Sequence, residues 1–352
     1  MSKVELILIV RWLAIGLSVL FVSAFYFGPG RPNLSWESIR RIRIIVVFLG
    51  LALCGSIIYG KFYARDLVAR AGVLAKENDV QAAVSTYTTA LAADTTNTNA
   101  YSGRATLNLV HGEGRNSIQD YTRAIGLDGG RDPRFYFNRA LAYMIAGLRK
   151  REIEDLNRYI SLMPNDAMAY YYRGTALSLD GKIDLARPDL EKSIQLDPTF
   201  WDSHYNLGNL YVRLGNDKRA EEEFTLAQQQ NPADGDALVN LGNLARARGE
   251  LNRALKCYTD AIRINPKLAF AYFDRATVYN SVKNYGGMRQ DMDRYIELRP
   301  NDPEGYRLRA AAEFFLGQAE SMAEDSAKAK QLPVIVEVEP PRFVPMLPKK
   351  PT

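Results

Sequence analysis

Hydrophobic and polar residues alternate under two different rules along this chain. Over residues 12–27 no charge interrupts an apolar run, residues 6–10 extend it backwards with only Arg11 between, and Gly28-Pro29-Gly30 closes it. This pattern predicts a membrane-spanning helix, with Arg11 near enough to its start for the long side chain to reach the headgroups. A second uncharged run over residues 44–60 would make about 26 Å of helix at about 1.5 Å per residue, close to the minimum for a hydrocarbon core of about 30 Å. The two runs predict a helical hairpin over residues 1–63. Small residues at Ala52, Ser56 and Gly60 in the second helix, and at Ala14 and Ser18 in the first, are expected to let the backbones approach closely. A cleaved leader ending at Val22-Ser23-Ala24 is the competing reading. It requires Arg40, Arg41 and Arg43 to cross the membrane, which the positive-inside rule opposes. With that cluster cytoplasmic, the rest of the chain lies outside the cytoplasm. Lys3, Arg11, Lys61, Arg65 and Arg70 on the other side nearly balance it.

From residue 64 the pattern changes to short amphipathic segments of about a dozen residues, too short to hold as isolated helices in water. They recur. Pro164, Pro198, Pro232, Pro266 and Pro300 are spaced by 34 residues without exception. Aligned on these prolines, with one extra residue near Gly129-Gly130, eight repeats start at Ala64, Thr98, Pro133, Ala167, Trp201, Gly235, Ala269 and Pro303. Position 8 of every repeat is small: Ala71, Ala105, Ala140, Gly174, Gly208, Gly242, Ala276 and Ala310. Repeat 5 shows the whole pattern, with Leu207, Gly208 and Tyr211 in its first helix, Ala220, Phe224 and Ala227 in its second, and the stop Pro232. In this it resembles the tetratricopeptide repeat family over residues 64–332. The resemblance implies an all-α fold, in which two transmembrane helices lead into a right-handed superhelix of helix-turn-helix repeats, each burying its apolar face on its neighbours. The polar last helix, with Ser326 where other repeats carry a large apolar residue, is expected to cap the array. Repeats 3 and 7 depart from the pattern, with Glu152 and Tyr159, and Met288 and Tyr295, in place of the usual alanines. A duplication of four repeats and a local change of pitch both account for this. Residues 333–352 are expected to form an extended, proline-rich tail, suited to strand addition or to docking in a groove.

Composition narrows the function. The formal charge of +5 comes from the first 63 residues, which hold 7 basic and 2 acidic side chains, while the repeats are near neutral. That leaves no electrostatic footprint for nucleic acid. Two cysteines, Cys54 and Cys257, and two histidines, His111 and His204, cannot supply a disulfide framework or a four-ligand zinc site. No phosphate loop, G-x-S-x-G or H-E-x-x-H pattern occurs. No enzyme activity, cofactor, metal or small-molecule substrate is expected. His204, where the family commonly has tryptophan, reads as a packed core residue, and Cys257 as a small core hydrophobe.

Two side-chain series stand out. Position 7 is Arg104, Arg139, Arg173, Arg275 and Arg309 in the same repeats whose position 23 is Asp120, Asp155, Asp189, Asp291 and Asp325. A planar guanidinium matches a carboxylate bidentately, so each pair predicts a bridge between the two helices of one repeat. Repeats 5 and 6 have Leu207 with Glu223, and Leu241 with Cys257, and repeat 1 breaks the rule with Arg70 and Thr86. The second series is the candidate binding site. Position 5 gives Phe137, Tyr171, Tyr205, Val239 and Phe273, and positions 6 and 9 give Asn206, Asn209, Asn240 and Asn243, with Asn138 further along at position 6 of repeat 3. In the family the first helices line a concave surface. There, amides able to donate and accept would hold an extended peptide backbone, and folding is expected to survive their loss. The same residues also occur as family consensus. A carboxylate clamp is not expected, because only Arg307 in the last repeat supplies a cation at position 5. The resemblance and the hairpin together imply a scaffold, anchored in the lipid bilayer, that binds protein partners or extended peptides and helps assemble a complex. The alternative is a constitutive subunit of a large membrane complex, with the hairpin as its main contact.

Overall fold

The computed structural model describes residues 3–26 and 36–333. The Gly28-Pro29-Gly30 breaker and the tail beyond residue 333 lie outside the described residues, as does the side chain of Ser18. Seventeen helices and no strand occur among the described residues. They belong to two bodies, Met1–Pro164 and Asn165–Thr352.

The N-terminal body begins with α1 (Lys3–Tyr26) and α2 (Trp36–Lys76). They are antiparallel: the Lys3 ammonium lies 5.5 Å from the centre of the Tyr63 ring, and Arg11, two turns on, donates from Nη2 to the Ser56 carbonyl at 3.4 Å. Residues 60–64 contain no proline and no capping residue, so α2 continues without interruption from the apolar run into the first helix of repeat 1. Ala14, Ser56 and Gly60 are buried, whereas Ala52 is exposed and takes no part in the close approach expected of it. A Cβ on Gly60 would lie 2.5 Å from Arg11 Nη2 and 2.8 Å from the Ala93 carbonyl, so glycine makes room there for both. Among the described side chains much of the outward hairpin surface is apolar, with Trp12, Leu13, Val47, Phe48 and Leu51 exposed. Among the described residues one helix, over Ile44–Lys76, is long and apolar enough to cross a membrane. The start of α1 differs from its hydropathy: Val4 and Ile7 pack into the core of repeat 1 with Ala64, Leu67, Ala71, Tyr87 and Ala90.

The body continues with α3 (Val80–Ala93), α4 (Thr98–Val110), α5 (Gly114–Asp128), α6 (Pro133–Ile145) and α7 (Arg149–Leu162). Asp79, Asn97 and Asp132 cap the helices that follow them, accepting from Ala82, Ala100 and Arg134 backbone N–H groups. Gly129 and Gly130, at φ of 68° and 70°, form the turn that accommodates the extra residue of repeat 2.

The C-terminal body repeats the hairpin five times: α8 (Ala167–Leu179) with α9 (Ile183–Leu196), α10 (Trp201–Arg213) with α11 (Asp217–Gln230), α12 (Asp236–Ala247) with α13 (Leu251–Ile264), α14 (Ala269–Ser281) with α15 (Tyr285–Leu298), and α16 (Pro303–Leu316) with α17 (Ala319–Gln331). Each helix packs on its hairpin partner and on the next hairpin, which is solenoid packing. The small position 8 is where the two helices of a hairpin approach most closely. A Cβ on Gly208 would lie 2.7 Å from the Phe224 ring, and one on Gly242 would lie 2.6 Å from the Tyr258 ring.

The five arginine–aspartate bridges are all present and all bidentate. Arg139 Nε and Nη2 donate to Asp155 at 2.7 and 2.8 Å, and the same two-point contact joins Arg104 to Asp120, Arg173 to Asp189, Arg275 to Asp291 and Arg309 to Asp325. The remaining nitrogen reaches the preceding repeat: Nη1 of Arg104, Arg139 and Arg275 donates to Thr88, Thr122 and Thr259 at 2.9, 3.0 and 3.0 Å, and that of Arg309 to Asp293 at 2.8 Å. Each of these four arginines therefore ties together three helices. Repeat 5, which lacks the arginine, uses Glu223 differently, placing it 2.6 Å from Nδ1 of the buried His204.

The two departures from the pattern have one packing explanation. Tyr159 sits 4.9 Å from Phe137, and Tyr295 sits 5.2 Å from Phe273, ring centre to ring centre. Tyrosine on the second helix is thus met by phenylalanine at position 5 of the first. Met288 is fully buried beside Tyr295, whereas Glu152 puts a carboxylate in the same place, 2.9 Å from Arg149. Burial outweighs that cation and pushes Glu152 up to about 7.

Candidate functional site

The residues singled out at positions 5, 6 and 9 do not all reach one place. Asn206, Asn209, Asn240, Asn243, Tyr205 and Val239 line a single cleft of about 810 Å³ in the C-terminal body. Their helices, α10 and α12, are seated on α11 and α13 by the packing of Gly208 on Phe224 and of Gly242 on Tyr258. Tyr171 is buried against Tyr172 and Phe200, with ring centres 5.1 and 5.0 Å away, and presents almost no surface. Phe273 is half-buried on Tyr295. Phe137 and Asn138 belong to the other body. Asn138 is buried, with the Tyr121 hydroxyl as a hydrogen-bond partner.

Within the cleft the amides are organised by one another. Asn206 Nδ2 donates to Thr175 Oγ1 at 2.9 Å, and Asn240 Nδ2 donates to Asn209 Oδ1 at 3.2 Å. Both contacts run from position 6 of one repeat to position 9 of the repeat before it. Asn243 Oδ1 accepts from the Tyr258 hydroxyl at 2.7 Å, and burial pushes that phenol up to about 12, which keeps it a donor. Three of the four asparagines thus take part in two contacts that bridge adjacent first helices, so the amides also contribute to the packing between repeats. An amide offers two donors and two acceptor lone pairs, so one bond each leaves capacity directed at the cleft.

Sequence reading missed the rim. Arg213 donates from Nη1 to the Ser178 carbonyl and hydroxyl at 2.7 and 3.0 Å. The Arg299 guanidinium lies 4.8 Å from the centre of the Phe270 ring. Lys267, Asp236 and Asp274 also belong to the lining. Asp274 is position 6 of repeat 7, whereas Arg213, Asp236, Phe270 and Arg299 sit at helix ends and Lys267 in the turn after Pro266, where a series built on positions 5, 6 and 9 does not look. Among the described residues, no group of three or more metal-ligating side chains comes together.

Two models of the tetratricopeptide repeat match this sequence, one over residues 177–241 and one over residues 235–268. The chain carries tetratricopeptide repeats. Its tetratricopeptide fold is similar to that of pilF from Pseudomonas aeruginosa, at 16% identity over 56% of this chain and 90% of that chain, with a TM-score of 0.53. It is similar too to the C-terminal part of a TPR repeat-containing protein from Cytophaga hutchinsonii, at 17% identity over 64% and 90% of the two chains, with a TM-score of 0.50. A further similar structure is YrrB, described as a TPR protein with an unusual peptide-binding site, at 23% identity over 49% and 88% of the chains and a TM-score of 0.45. Tetratricopeptide repeats generally mediate protein–protein interactions, and the fold is typically a non-enzymatic scaffold.

Proposed function

We propose that this chain is a membrane-anchored scaffold whose cleft in repeats 4–7 holds an extended segment of a partner protein and so helps assemble a complex. The observation that carries this reading is the convergence of four asparagines on one cleft of about 810 Å³, each with one amide bond made to its neighbours and capacity left over. An extended backbone alternates donors and acceptors along its edge and suits such a lining with little demand on sequence. Both α1 and α2 serve as spanning helices in this reading, supported by the uncharged run in each and by their antiparallel packing. The cluster at Arg40, Arg41 and Arg43 supports a cytoplasmic hairpin loop, with the repeats on the opposite side.

A photo-reactive residue at Val239 of the full chain in native membranes tests the cleft. The expected outcome is capture of a partner well above that from a control residue at the exposed Leu226 on α11. Replacing Asn209 and Asn243 by alanine together should weaken the partner about tenfold, since two bonds at roughly 0.5 to 1.5 kcal/mol each reach the 1.4 kcal/mol that is a factor of ten. Equal capture at both positions, with unchanged binding by the double variant, would sink the proposal. Protease protection in sealed vesicles, with sequencing of the mature N-terminus, tests the two spans and their direction.

A further inference from the structure

The junction between hairpin and repeats carries a second surface, whose interpretation rests on the hairpin being the membrane anchor. Because α2 does not break, one side of it passes directly from apolar to basic and aromatic. Ile57 and Ile58 are exposed, and within the next two turns so are Lys61, Phe62 and Arg65. The opposite side, with Ser56, Gly60, Ala64 and Leu67, is buried. Lys61 and Arg65 are four residues apart and so stand one above the other on the outward side. Neither makes an ion pair with a carboxylate among the described residues. Lys3 on α1 comes to the same level, since its ammonium lies over Tyr63, and Tyr63 stacks on the exposed Tyr59 with ring centres 6.3 Å apart. About two turns deeper, where Arg11 reaches Ser56, its Nε is buried without a partner. Asp66 follows Arg65 by one residue and so points about 100° away around the helix, and Glu5 on α1 is a second carboxylate near the set.

Exposed cations just past the end of an apolar run, flanked by tyrosine and phenylalanine, stand at the depth of lipid phosphates. A zwitterionic headgroup brings its own cation to that depth, whereas an anionic one neutralises the protein charge outright. We propose that Lys3, Lys61 and Arg65 bind anionic lipid headgroups of the leaflet beneath repeat 1, with Tyr59 and Phe62 seated in the same interfacial layer. Since α2 is also the first helix of repeat 1, lipid held there fixes the direction in which the repeats leave the membrane.

The test uses the full chain in nanodiscs of mixed phosphatidylglycerol and phosphatidylcholine, probed with a spin-labelled version of each lipid. The motionally restricted fraction should favour the phosphatidylglycerol label at least about threefold at low salt, and the preference should fall as salt is raised. K61Q/R65Q should reduce it towards one, while K61R/R65K should keep it. Equal restriction of the two labels in the parent, or a preference that survives K61Q/R65Q unchanged, overturns the proposal. Alkaline carbonate extraction of native membranes separates this from failure of the anchor. Release of the parent chain refutes both readings, and retention with equal labels refutes the lipid site alone.

Discussion

The arginine clasp is the feature whose energetics the structure defines best, and repeat 3 is the place to measure it. Arg139 gives two charge-assisted bonds to Asp155 and one to Thr122 of the preceding repeat. Their side chains keep only 14% and 8% of their exposure, so neither end is easily rescued by water. Arg139→Leu leaves the Asp155 carboxylate buried without its counter-charge, and the expected cost is about 3 kcal/mol, at the lower end for a broken buried pair because part of the site still reaches solvent. Asp155→Leu strands a guanidinium that retains Thr122 and some solvent, at about 2 kcal/mol. The double change to leucine should cost only about 1 kcal/mol, since two apolar side chains of similar volume replace a pair whose desolvation consumed most of its attraction. Repeat 6 already carries that solution as Leu241 and Cys257. The coupling energy is then roughly 4 kcal/mol, beyond the usual range of about 0.5 to 3 kcal/mol, as fits a contact made at two points. Because repeat arrays unfold in parts, the assay should be native-state hydrogen exchange of the α6 and α7 amides in the detergent-solubilised full chain. Singles whose costs simply add up to that of the double would show that Asp155 is solvated by other means.

Three further outcomes follow from particular contacts. Burial raises Glu152 from its ordinary 4.5 to about 7, so its protonated form is favoured in the folded state: its contribution is complete below about pH 4.5 and is lost as pH rises to about 7. Repeat 3 should lose up to about 3 kcal/mol over that window, E152Q should melt without it and above the parent at pH 8, and a variant with an unaltered pH profile would contradict the assignment. Gly208→Ala sets a methyl 2.7 Å from Phe224 and should cost about 1 to 3 kcal/mol in thermal melting. Phe224→Leu in the same chain should recover part of that, and the absence of any recovery would place the strain elsewhere. Ile7→Ala should cost about 2 to 4 kcal/mol and speed exchange in α3, because Ile7 is 3% exposed within the core of repeat 1. A change confined to α1 would refute that packing.

Contacts within a repeat were legible in the sequence because they recur at a fixed offset. In repeats 2–8, positions 7 and 23 covary between arginine–aspartate and leucine with another residue, repeat 1 breaking the rule with Arg70 and Thr86, and the structure returns all five bridges. Contacts between repeats were harder to see, for two reasons. Their offset is 31 residues for the amide pairs and 16 or 17 for arginine to threonine, so they join different positions of neighbouring repeats and vanish when repeats are aligned as independent copies. They are also satisfied by several residue types, as when Asp293 stands where Thr88, Thr122 and Thr259 stand elsewhere. Reading position 25 of each repeat against position 7 of the next would have found the third arginine bond. No periodicity would have placed Val4 and Ile7 in repeat 1, since their hydrophobicity is what a membrane helix also shows.

That last contact bears on how the two regimes of the chain meet. A hairpin joined to the repeats by one polypeptide crossing could swing about the crossing. Here α2 belongs to both parts without a break, and the start of α1 packs on the same core from the other side, while Gly60 lets Arg11 and the end of α3 share one small space. A hinge needs residues that can change φ and ψ without losing buried contacts, and none of residues 60–64 meets that condition inside a continuous helix whose buried side includes Gly60, Ala64 and Leu67. If α2 spans a bilayer as proposed, tilting it must carry repeat 1 with it as one rigid piece, and a partner held by the repeats would feel the membrane through helix geometry rather than through a tether.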